Sequence, residues 1–412
     1  MDAVDPSAPG SRTAPLVTDA ELAAIVSAVE DRLPALLVEL GALVSIDCGS
    51  YTKAGVDAVG ARVAAALGDL GALVVVHPHA ELGETIVATF PGAPDTTRLL
   101  LLAHLDTVFP EGTAAARPFR IADGRATGPG VTDMKGGLLA GIHAVAVARA
   151  VAGSALGPIV FLANPDEEVG SPGSTPLVRA LAAETDVALV LECARANGDI
   201  VSSRKGTVDL RLTVRGRAAH AGVEPENGRS AILEAAHLVT ALHALPSRWA
   251  SVTCNVGVIA GGTRPNVVAE EAILEVDLRA ATNEELDEAI AAVRALAAAP
   301  TVPDVTVKVE EISWWRPMEK GPRTQGLVTH AADLAARLGF PLRDAATGGA
   351  SDGNTTAGMG VPTLDGLGPI GGLDHSPGEY LEVGSIVPRT ALLAALLVAI
   401  SRDPAFTPKV RG

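Results

Sequence analysis

Aromatic side chains are scarce in this chain of 412 residues, since Phe, Trp and Tyr together make up 3% of it. Hydrophobic residues nevertheless reach 48%, so a large core has to be filled mainly by Ala, Val, Leu and Gly. Such a composition suits alternating strands and helices better than an all-β sandwich. The length exceeds what a single core usually holds, which favours two domains.

Basic residues are also few, because 32 Lys and Arg stand against 48 Asp and Glu, for a formal net charge of -16. Nucleic acids and anionic membrane surfaces are bound through basic patches, so neither is an expected partner. A membrane-spanning helix is not predicted, because no uninterrupted apolar run reaches about 18 residues. The longest candidate, 138–157, contains His143 and Arg149.

Cysteine is rarer still, with Cys48, Cys193 and Cys254 far apart and unsuited to a disulfide framework. Residues 1–17 are rich in Ala, Pro, Ser and Asp and lack the basic start and apolar run of a signal peptide. We therefore expect a disordered leader there and a soluble, cytoplasmic protein.

The first half of the chain predicts buried strands separated by helices. The apolar runs 99–103, 159–163 and 187–191 have the length and continuity of strands that are buried on both faces. Helical spacing of apolar residues occurs between and before them, at 20–44, 56–70, 134–152 and 175–183. This order predicts a mainly parallel sheet covered by helices.

The pattern changes after Arg204. Alternating strands at 208–214, 251–259, 267–278 and 305–312, with helices at 230–245 and 284–298, follow the β-α-β-β-α-β order of a ferredoxin-like sandwich. Beyond Arg316 the first pattern returns, with helices at 326–338 and 389–401. We therefore predict an α/β catalytic domain made of 18–204 and 316–412, with an α+β domain inserted at 205–315.

Metal-competent side chains follow each of the three buried strands, and two more lie in glycine-rich turns. Because open α/β sheets form their sites at the carboxyl ends of the strands, we expect these side chains to meet. In chain order they are His104, Asp106, Asp133, Glu167, Glu168, Glu192 and His375.

This set suits a pair of divalent ions. Two ions about 3.5–4 Å apart need a bridging carboxylate and further N or O ligands, and the absence of a thiolate favours zinc, cobalt or manganese. Asp106 lies two residues after His104, on the same side of an extended segment, where it can hold the second ring nitrogen. Of the adjacent Glu167 and Glu168, one can bind metal while the other acts as a general base.

These motifs resemble the M20 metallohydrolases, and most closely the glutamate carboxypeptidases of the carboxypeptidase G2 type. The resemblance covers roughly 20–401. It is carried by HLDTVFP at 104–110, GPG and DMKGG within 128–137, DEEVGS at 166–171, GRAAHAG at 216–222 and the final His375.

The resemblance implies two zinc ions bridged by Asp133, whose peptide bond to the next residue would be cis. His104 and Glu192 would complete one ion, and Glu168 and His375 the other.

The resemblance also implies roles beyond the ligands. Glu167 would be the general base and then the proton donor to the leaving amine, and His220 would stabilise the tetrahedral oxyanion. The substrate's carboxylate end and backbone would be held by Asn266, Arg279, Arg316 and Gly349.

The predicted activity is zinc-dependent hydrolysis of an amide bond next to a free carboxylate, which releases a C-terminal amino acid such as glutamate. The substrate would be a small peptide or an N-acyl amino acid, so an N-acyl-amino-acid deacylase or a dipeptidase is the alternative. A non-catalytic metal-binding protein is the alternative from another class, and the retained Glu167 argues against it. The resemblance further implies a homodimer joined through the 205–315 domain, which would act as a lid.

Overall fold

A computed structural model describes residues 15–407 of the chain. In that range the α-helices are α1 (Asp19–Val44), α2 (Lys53–Asp69), α3 (Thr113–Ala116), α4 (Gly136–Ala152), α5 (Thr175–Ala183), α6 (Ala231–Ala244), α7 (Asn283–Ala298), α8 (Pro322–Arg337), α9 (Asp352–Gly358) and α10 (Ile386–Arg402). The strands are β1 (Leu73–His77), β2 (Thr85–Phe90), β3 (Leu99–His104), β4 (Arg120–Ala122), β5 (Arg125–Thr127), β6 (Ile159–Asn164), β7 (Val187–Val190), β8 (Ile200–Arg204), β9 (Gly206–Arg215), β10 (Thr253–Gly261), β11 (Glu271–Ala280), β12 (Thr306–Trp315), β13 (Asp344–Thr347), β14 (Thr363–Leu364), β15 (Gly371–Gly372) and β16 (Tyr380–Glu382).

The main sheet has six strands in the order β1-β2-β6-β3-β7-β14. Strands β6, β3, β7 and β14 are parallel, while β1 and β2 form an antiparallel edge. The prediction of a mainly parallel sheet is therefore confirmed, and the carboxyl ends of β3, β6 and β7 lie side by side.

Helices cover both faces of this sheet, as the apolar run of β3 requires. Leu99 and Leu101 belong to the core formed with α1, α4 and α10. Leu100 and Leu102 pack on the opposite face, together with Val178 of α5. Because neither face of β3 is exposed to water, its C-terminal residue His104 is also buried.

The inserted segment forms a second sheet with the order β10-β11-β9-β12, in which every neighbouring pair is antiparallel. Helices α6 and α7 pack on one face of it and enclose a separate apolar core. Strand β9 alternates buried and more exposed residues along its length, as a strand with one covered face does. The ferredoxin-like α+β architecture predicted for this segment is confirmed.

Several boundaries differ from prediction. The predicted strand at 267–278 begins only at Glu271, because the backbone of Val267 and Val268 pairs instead with the turn at Ala219 and His220. The short strands β4, β5, β8 and β13–β16 and the helix α9 were not predicted, because they have too few residues to show a period.

The predicted leader was wrong at its C-terminal end. Val17 is 1% exposed and Leu16 packs against the main core. Their carbonyls accept hydrogen bonds from Arg337 and Arg402. The rest of the predicted leader, 1–14, lies outside the described residues.

Two helical stretches, Val131–Ala155 and Val383–Arg402, are long and apolar enough to cross a membrane by length and composition alone. Most of each is buried against the rest of the protein, which is typical of the core helices of a folded domain.

Candidate active site

The carboxyl edge of the main sheet gathers the predicted metal ligands. His104 ends β3, Glu168 lies in the turn after β6, and Glu192 follows β7. Asp133 lies in the turn before α4, and His375 in the loop between β15 and β16. His104 and His375 thus contribute to one cluster, although they are 271 positions apart in the sequence.

Asp133 lies at the centre of this cluster. Its Oδ1 is 3.1 Å from Nε2 of His104, and its Oδ2 is 3.1 Å from Nε2 of His375. Nε2 of His104 is also 3.5 Å from Glu192, and Nε2 of His375 is 3.0 Å from Glu168. Each oxygen of one carboxylate therefore faces a different imidazole, and each imidazole faces a second carboxylate.

Glu167 joins the cluster from the His104 side. One oxygen of Glu167, a ring nitrogen of His104 and one oxygen of Glu192 lie within 4.8 Å of one another. Burial is the main reason that the pKa of Glu167 lies well above its usual range, and the carboxylates of Glu192 and Asp352 add to the effect. Glu167 is thus suited to hold a proton close to the clustered ligands.

The electrostatics of the cluster favour a bound cation. Burial raises the pKa of Glu192 to about 7, and the nearby Asp133 adds to the shift. Hydrogen bonds to Asp133 and Glu168 raise the pKa of His375 to about 11. Burial alone would raise the pKa of Asp133, but the hydrogen bonds from both histidines lower it below its usual range. Buried carboxylates at this density either take up protons, as the raised pKa values of Glu167 and Glu192 indicate, or are stabilised by a bound cation.

The donor atoms fit divalent metal ions. Two imidazole nitrogens and three carboxylates without a thiolate form a set that zinc and similar ions accept. Oε1 of Glu168 is buried and has no hydrogen-bond partner within residues 15–407, so it is free to act as a ligand. Asp133 can bridge two ions because its two oxygens face the two separate halves of the cluster.

Asp106 orients His104 and the turn that carries Glu167 and Glu168. Its backbone oxygen is 3.0 Å from Nδ1 of His104, and its side-chain Oδ1 is 3.4 Å from the same nitrogen. The contact predicted from the His104–Asp106 spacing is therefore present, although the backbone carbonyl is the nearer partner. The Asp106 carboxylate also accepts the backbone amides of Glu167 and Glu168.

Glu379 is a contributor that sequence reasoning missed. It is 1% exposed, and its carboxylate accepts the backbone amides of Gly130, Thr132 and Asp133 at 2.9–3.1 Å. These bonds fix the turn that carries Asp133. Burial raises the pKa of Glu379 to about 7. The position of Glu379, four residues after His375, carries no pattern that distinguishes it from a surface loop residue.

Comparison with known proteins places this geometry in a family. Residues 100–399 match the model of peptidase family M20/M25/M40. The chain belongs to this family. It is 31% identical over 379 residues to carboxypeptidase G2 of Pseudomonas sp. (strain RS-16), covering 91% of each chain. It is 30% identical over 329 residues to succinyl-diaminopimelate desuccinylase of Dechloromonas aromatica (strain RCB), covering 73% of this chain and 83% of that one.

Solved structures agree on the fold. Aminopeptidase PepT from Bacillus cereus superposes with a TM-score of 0.74 at 23% identity, covering 93% of this chain and 99% of that one.

The family match and the similarity to carboxypeptidase G2 identify the protein as a hydrolytic enzyme of the M20 family, a family of metallopeptidases that bind divalent metal ions. The non-catalytic alternative is not supported.

The Asp133–Met134 peptide is cis, as the M20 resemblance implied. The other residues that the resemblance singled out lie outside the cluster. His220 is exposed on a turn of the second domain, where its Nδ1 accepts the amide of Gly222. Asn266 is exposed on the neighbouring loop, and its carbonyl accepts the amide of Ala221.

Arg279 contacts the catalytic domain directly. Its guanidinium binds Asp277 of its own strand and donates to the carbonyl of Gly348 at 2.9 Å. Gly349, the next residue, is exposed, and its carbonyl accepts a bond from Arg204 rather than facing the clustered ligands.

Arg316 contacts side chains of the second domain. Its guanidinium forms an ion pair with Asp287 of α7 and lies 5.3 Å from the ring centroid of Trp314. Both partners belong to the second domain, whereas the backbone carbonyl of Arg316 accepts a hydrogen bond from Asn354 of the catalytic domain. The substrate contact that the resemblance implied for Arg316 stays a prediction.

Proposed function

We propose that the protein is a dinuclear zinc hydrolase that cleaves an amide bond next to a free carboxylate and releases a C-terminal amino acid. The observation that carries the proposal is the position of Asp133 between His104 and His375, each facing one of its oxygens at 3.1 Å. A carboxylate in this position is what a pair of divalent ions needs as a bridge. His104 and Glu192 would hold one ion, and Glu168 and His375 the other.

Glu167 is the proposed general base. When bound, the ions would polarise the amide carbonyl and lower the pKa of a water molecule. Glu167 would accept the proton that this water loses and donate it to the leaving amine nitrogen. Its buried position and raised pKa favour the protonated carboxyl that the second step needs.

The two domains would cooperate in binding the substrate. Arg279 is the proposed partner of the substrate carboxylate, with Asn266 beside the same loop. His220 would stabilise the charge on the tetrahedral oxygen. Both His220 and Arg279 lie in the inserted segment, whereas the proposed ligands lie outside it, so closure of the second domain or a partner subunit has to bring His220 to the cluster.

The similarity to carboxypeptidase G2 over 91% of the chain supports a peptidase that removes a C-terminal residue such as glutamate. The similarity to a desuccinylase supports the alternative, an N-acyl-amino-acid deacylase. Both reactions leave a free amino acid, so only the acyl side of the substrate distinguishes them.

The decisive experiment combines metal location with turnover. Anomalous scattering from zinc-loaded crystals should show two ions, one on each side of Asp133. The same preparation should hydrolyse acyl-glutamate, acyl-aspartate or dipeptides, and a chelator should abolish the activity. A single ion, or turnover that survives complete metal removal, would contradict the proposal.

We also propose a homodimer formed through the second domain. Strand β10 is an edge of its sheet and exposes Val258 and Ile259, which are 48% and 54% accessible. Nearby, α6 exposes Ile232 and Leu233 at 45% and 51%. An open apolar edge of this kind favours symmetric pairing. Light scattering should give the mass of two chains, and Ile259→Lys should reduce it to one; a monomeric wild type would exclude the dimer.

The cytoplasmic location stays a prediction.

A further inference from the structure

Arg204 is a buried cation for which the proposed chemistry has no use. The residue is 8% exposed, and its Nε donates to Oδ2 of Asp365 at 2.6 Å. Asp365 is fully buried and also accepts the hydroxyl of Ser351 at 2.6 Å. Because burying both charges removes them from water, an ion pair of this kind adds little net stability. Its presence calls for another reason.

The backbone of Arg204 lies where the chain passes between the two domains. Its amide donates to the carbonyl of Met318, and the amide of Met318 donates back, at 3.1 and 3.0 Å. Arg204 ends β8, just before the second domain, and Met318 follows β12, just after it. The outgoing and returning segments are therefore paired at this residue.

The segment 347–349 accepts hydrogen bonds from two sources. One is the pair of residues where the chain passes between the domains, Arg204 and Lys205, which we call the crossing, and the other is the second domain. The carbonyls of three successive residues, Thr347 at the end of β13 and the two residues after it, each accept a hydrogen bond from a different donor. The bonds join Lys205 N to Thr347 O at 3.0 Å, Arg279 Nη1 to Gly348 O at 2.9 Å, and Arg204 Nη1 to Gly349 O at 3.0 Å. Two of these donors belong to the crossing, and the third is the side chain proposed to bind the substrate carboxylate.

The same loop continues into the buried polar groups behind the metal cluster. Asp352, the first residue of α9, accepts bonds from Asn164 at 2.7 Å and from Ser171 at 2.6 Å. Asn164 ends β6, and Ser171 follows the turn that carries Glu167. Burial alone would lower the pKa of Arg204, but the carboxylates of Asp365, Glu192 and Glu167 raise it. The segment 347–352 is therefore hydrogen-bonded to Arg279 through Gly348 and, through Asp352, to residues on either side of the turn that carries Glu167.

We propose that Arg204 is a positioning residue: its guanidinium, neutralised by Asp365, holds the carbonyl of Gly349 and thereby fixes the loop against which Arg279 is aligned. The inference rests on the proposed function, because Arg279 is aligned for a substrate carboxylate. Arg204 itself does not contact the substrate. Losing it should leave the ligand cluster intact but let the loop and Arg279 move, which raises KM for substrates with a free carboxylate.

The test separates positioning from charge balance. Arg204→Met alone leaves Asp365 buried without its cation and is expected to destabilise the fold. The double variant Arg204→Met/Asp365→Asn removes both charges and should therefore fold. We expect it to keep its bound zinc, raise KM for an acyl-glutamate at least 10-fold and change kcat less than 3-fold. Amide hydrogen exchange in a peptide covering 347–352 should become at least 10-fold faster.

A matched control is the pair Arg98 and Asp186, which binds through three hydrogen bonds at the opposite end of β3. Arg98→Met/Asp186→Asn should leave both KM and exchange at 347–352 at wild-type values. Wild-type KM together with wild-type exchange in the Arg204 double variant would overturn the proposal. If the wild-type enzyme hydrolyses none of the substrates, the proposed function fails, while faster exchange at 347–352 would still show that Arg204 holds the loop.

Discussion

The carboxylate of Asp106 is hydrogen-bonded to the backbone amide of Glu167, with Oδ1 3.3 Å from the nitrogen. Its Oδ2 accepts the amide of Glu168 at 3.2 Å and the hydroxyl of Ser50 at 2.6 Å. A single buried carboxylate therefore fixes the backbone from which the proposed base and a proposed ligand both project. Since its carbonyl also faces Nδ1 of His104, Asp106 orients three members of the cluster at once.

Asp106→Asn should weaken the site without removing a ligand. The amide group of Asn keeps one acceptor oxygen but places an NH2 group against a backbone N–H, so one of the two turn contacts is lost. Partners of this kind are typically worth about 10–100-fold in metal affinity or activity. Zinc titration and kcat/KM measured together should show a loss of that size.

Asp47 provides the control for Asp106. It also accepts two backbone amides, those of Gly112 and Ala114 at 2.7 Å each, but in a loop that carries no ligand. Asp47→Asn should leave zinc affinity within 3-fold of wild type. Equal effects of the two substitutions would mean that Asp106 has only a general structural role.

Glu167→Gln and Glu168→Gln should fail in different ways, although the two residues are adjacent. Glu167→Gln removes the proton acceptor and should lower kcat by about 10²–10⁴-fold, with both metal ions retained. Glu168→Gln removes a charged ligand beside His375 and should lower the metal content itself. Elemental analysis of both variants beside their kcat values checks this, and near-wild-type turnover of Glu167→Gln would exclude it as the base.

The fold was predictable where the sequence has continuous apolar runs of strand length. The runs at 99–103 and 159–163 are apolar at every position because both faces of β3 and β6 are covered, and this continuity identified them. The polar residues that follow each run then located the site, since parallel strands end at one edge. This reasoning placed His104, Glu167, Glu168 and Glu192 together, and the family resemblance then assigned Glu168 as the ligand and Glu167 as the base.

Other parts of the site could not be predicted because their partners are distant in the sequence. Glu379 acts on the turn at 130–133, nearly 250 positions away, and no local pattern records that contact. The contacts of the Arg316 guanidinium with Asp287 and Trp314 of the second domain could not be predicted either, and its role in substrate binding stays a prediction.

His143 should make stability depend on pH. It is 5% exposed in α4, and burial is the main reason that its pKa is lowered, although a hydrogen bond with Glu39 opposes the shift. The folded protein thus binds a proton less readily than the unfolded chain, whose histidines titrate near pH 6.5. Stability should be unaffected above that pH and should fall as the pH drops below it, with a slope of at most about 1.4 kcal/mol per pH unit for one proton.

The comparison of His143→Gln with wild type isolates this contribution. Urea midpoints measured between pH 7.5 and pH 5 should fall less steeply in the variant, because one source of proton uptake on unfolding is gone. His237 is exposed on α6, so His237→Gln should retain the wild-type slope. Parallel curves for His143→Gln and wild type would contradict the assignment.

Substitution of Arg279 should raise KM much more than substitution of Arg316, although the resemblance gave both residues a role in substrate binding. Arg279 reaches across to Gly348 of the catalytic domain, so its guanidinium lies where the two domains meet. Arg279→Ala should raise KM for substrates with a free carboxylate about 10–100-fold, since a charge-assisted bond is typically worth about 1.5–3 kcal/mol, and should change kcat less.

Arg316→Ala removes an ion pair whose side chains are 35% and 57% exposed, and ion pairs at the surface contribute about 0–1 kcal/mol to stability. Because the Arg316 side chain is bound to Asp287 and packs on Trp314, KM should change less than 2-fold and thermal stability only slightly. The two variants should be compared on an acyl-glutamate and on its α-amide, in which the α-carboxylate is replaced by an uncharged amide. Arg279→Ala should lose its effect on the amide. Arg316→Ala could instead raise KM strongly for the acyl-glutamate and have no effect on the amide. That result would show that Arg316 leaves Asp287 to bind the substrate during turnover.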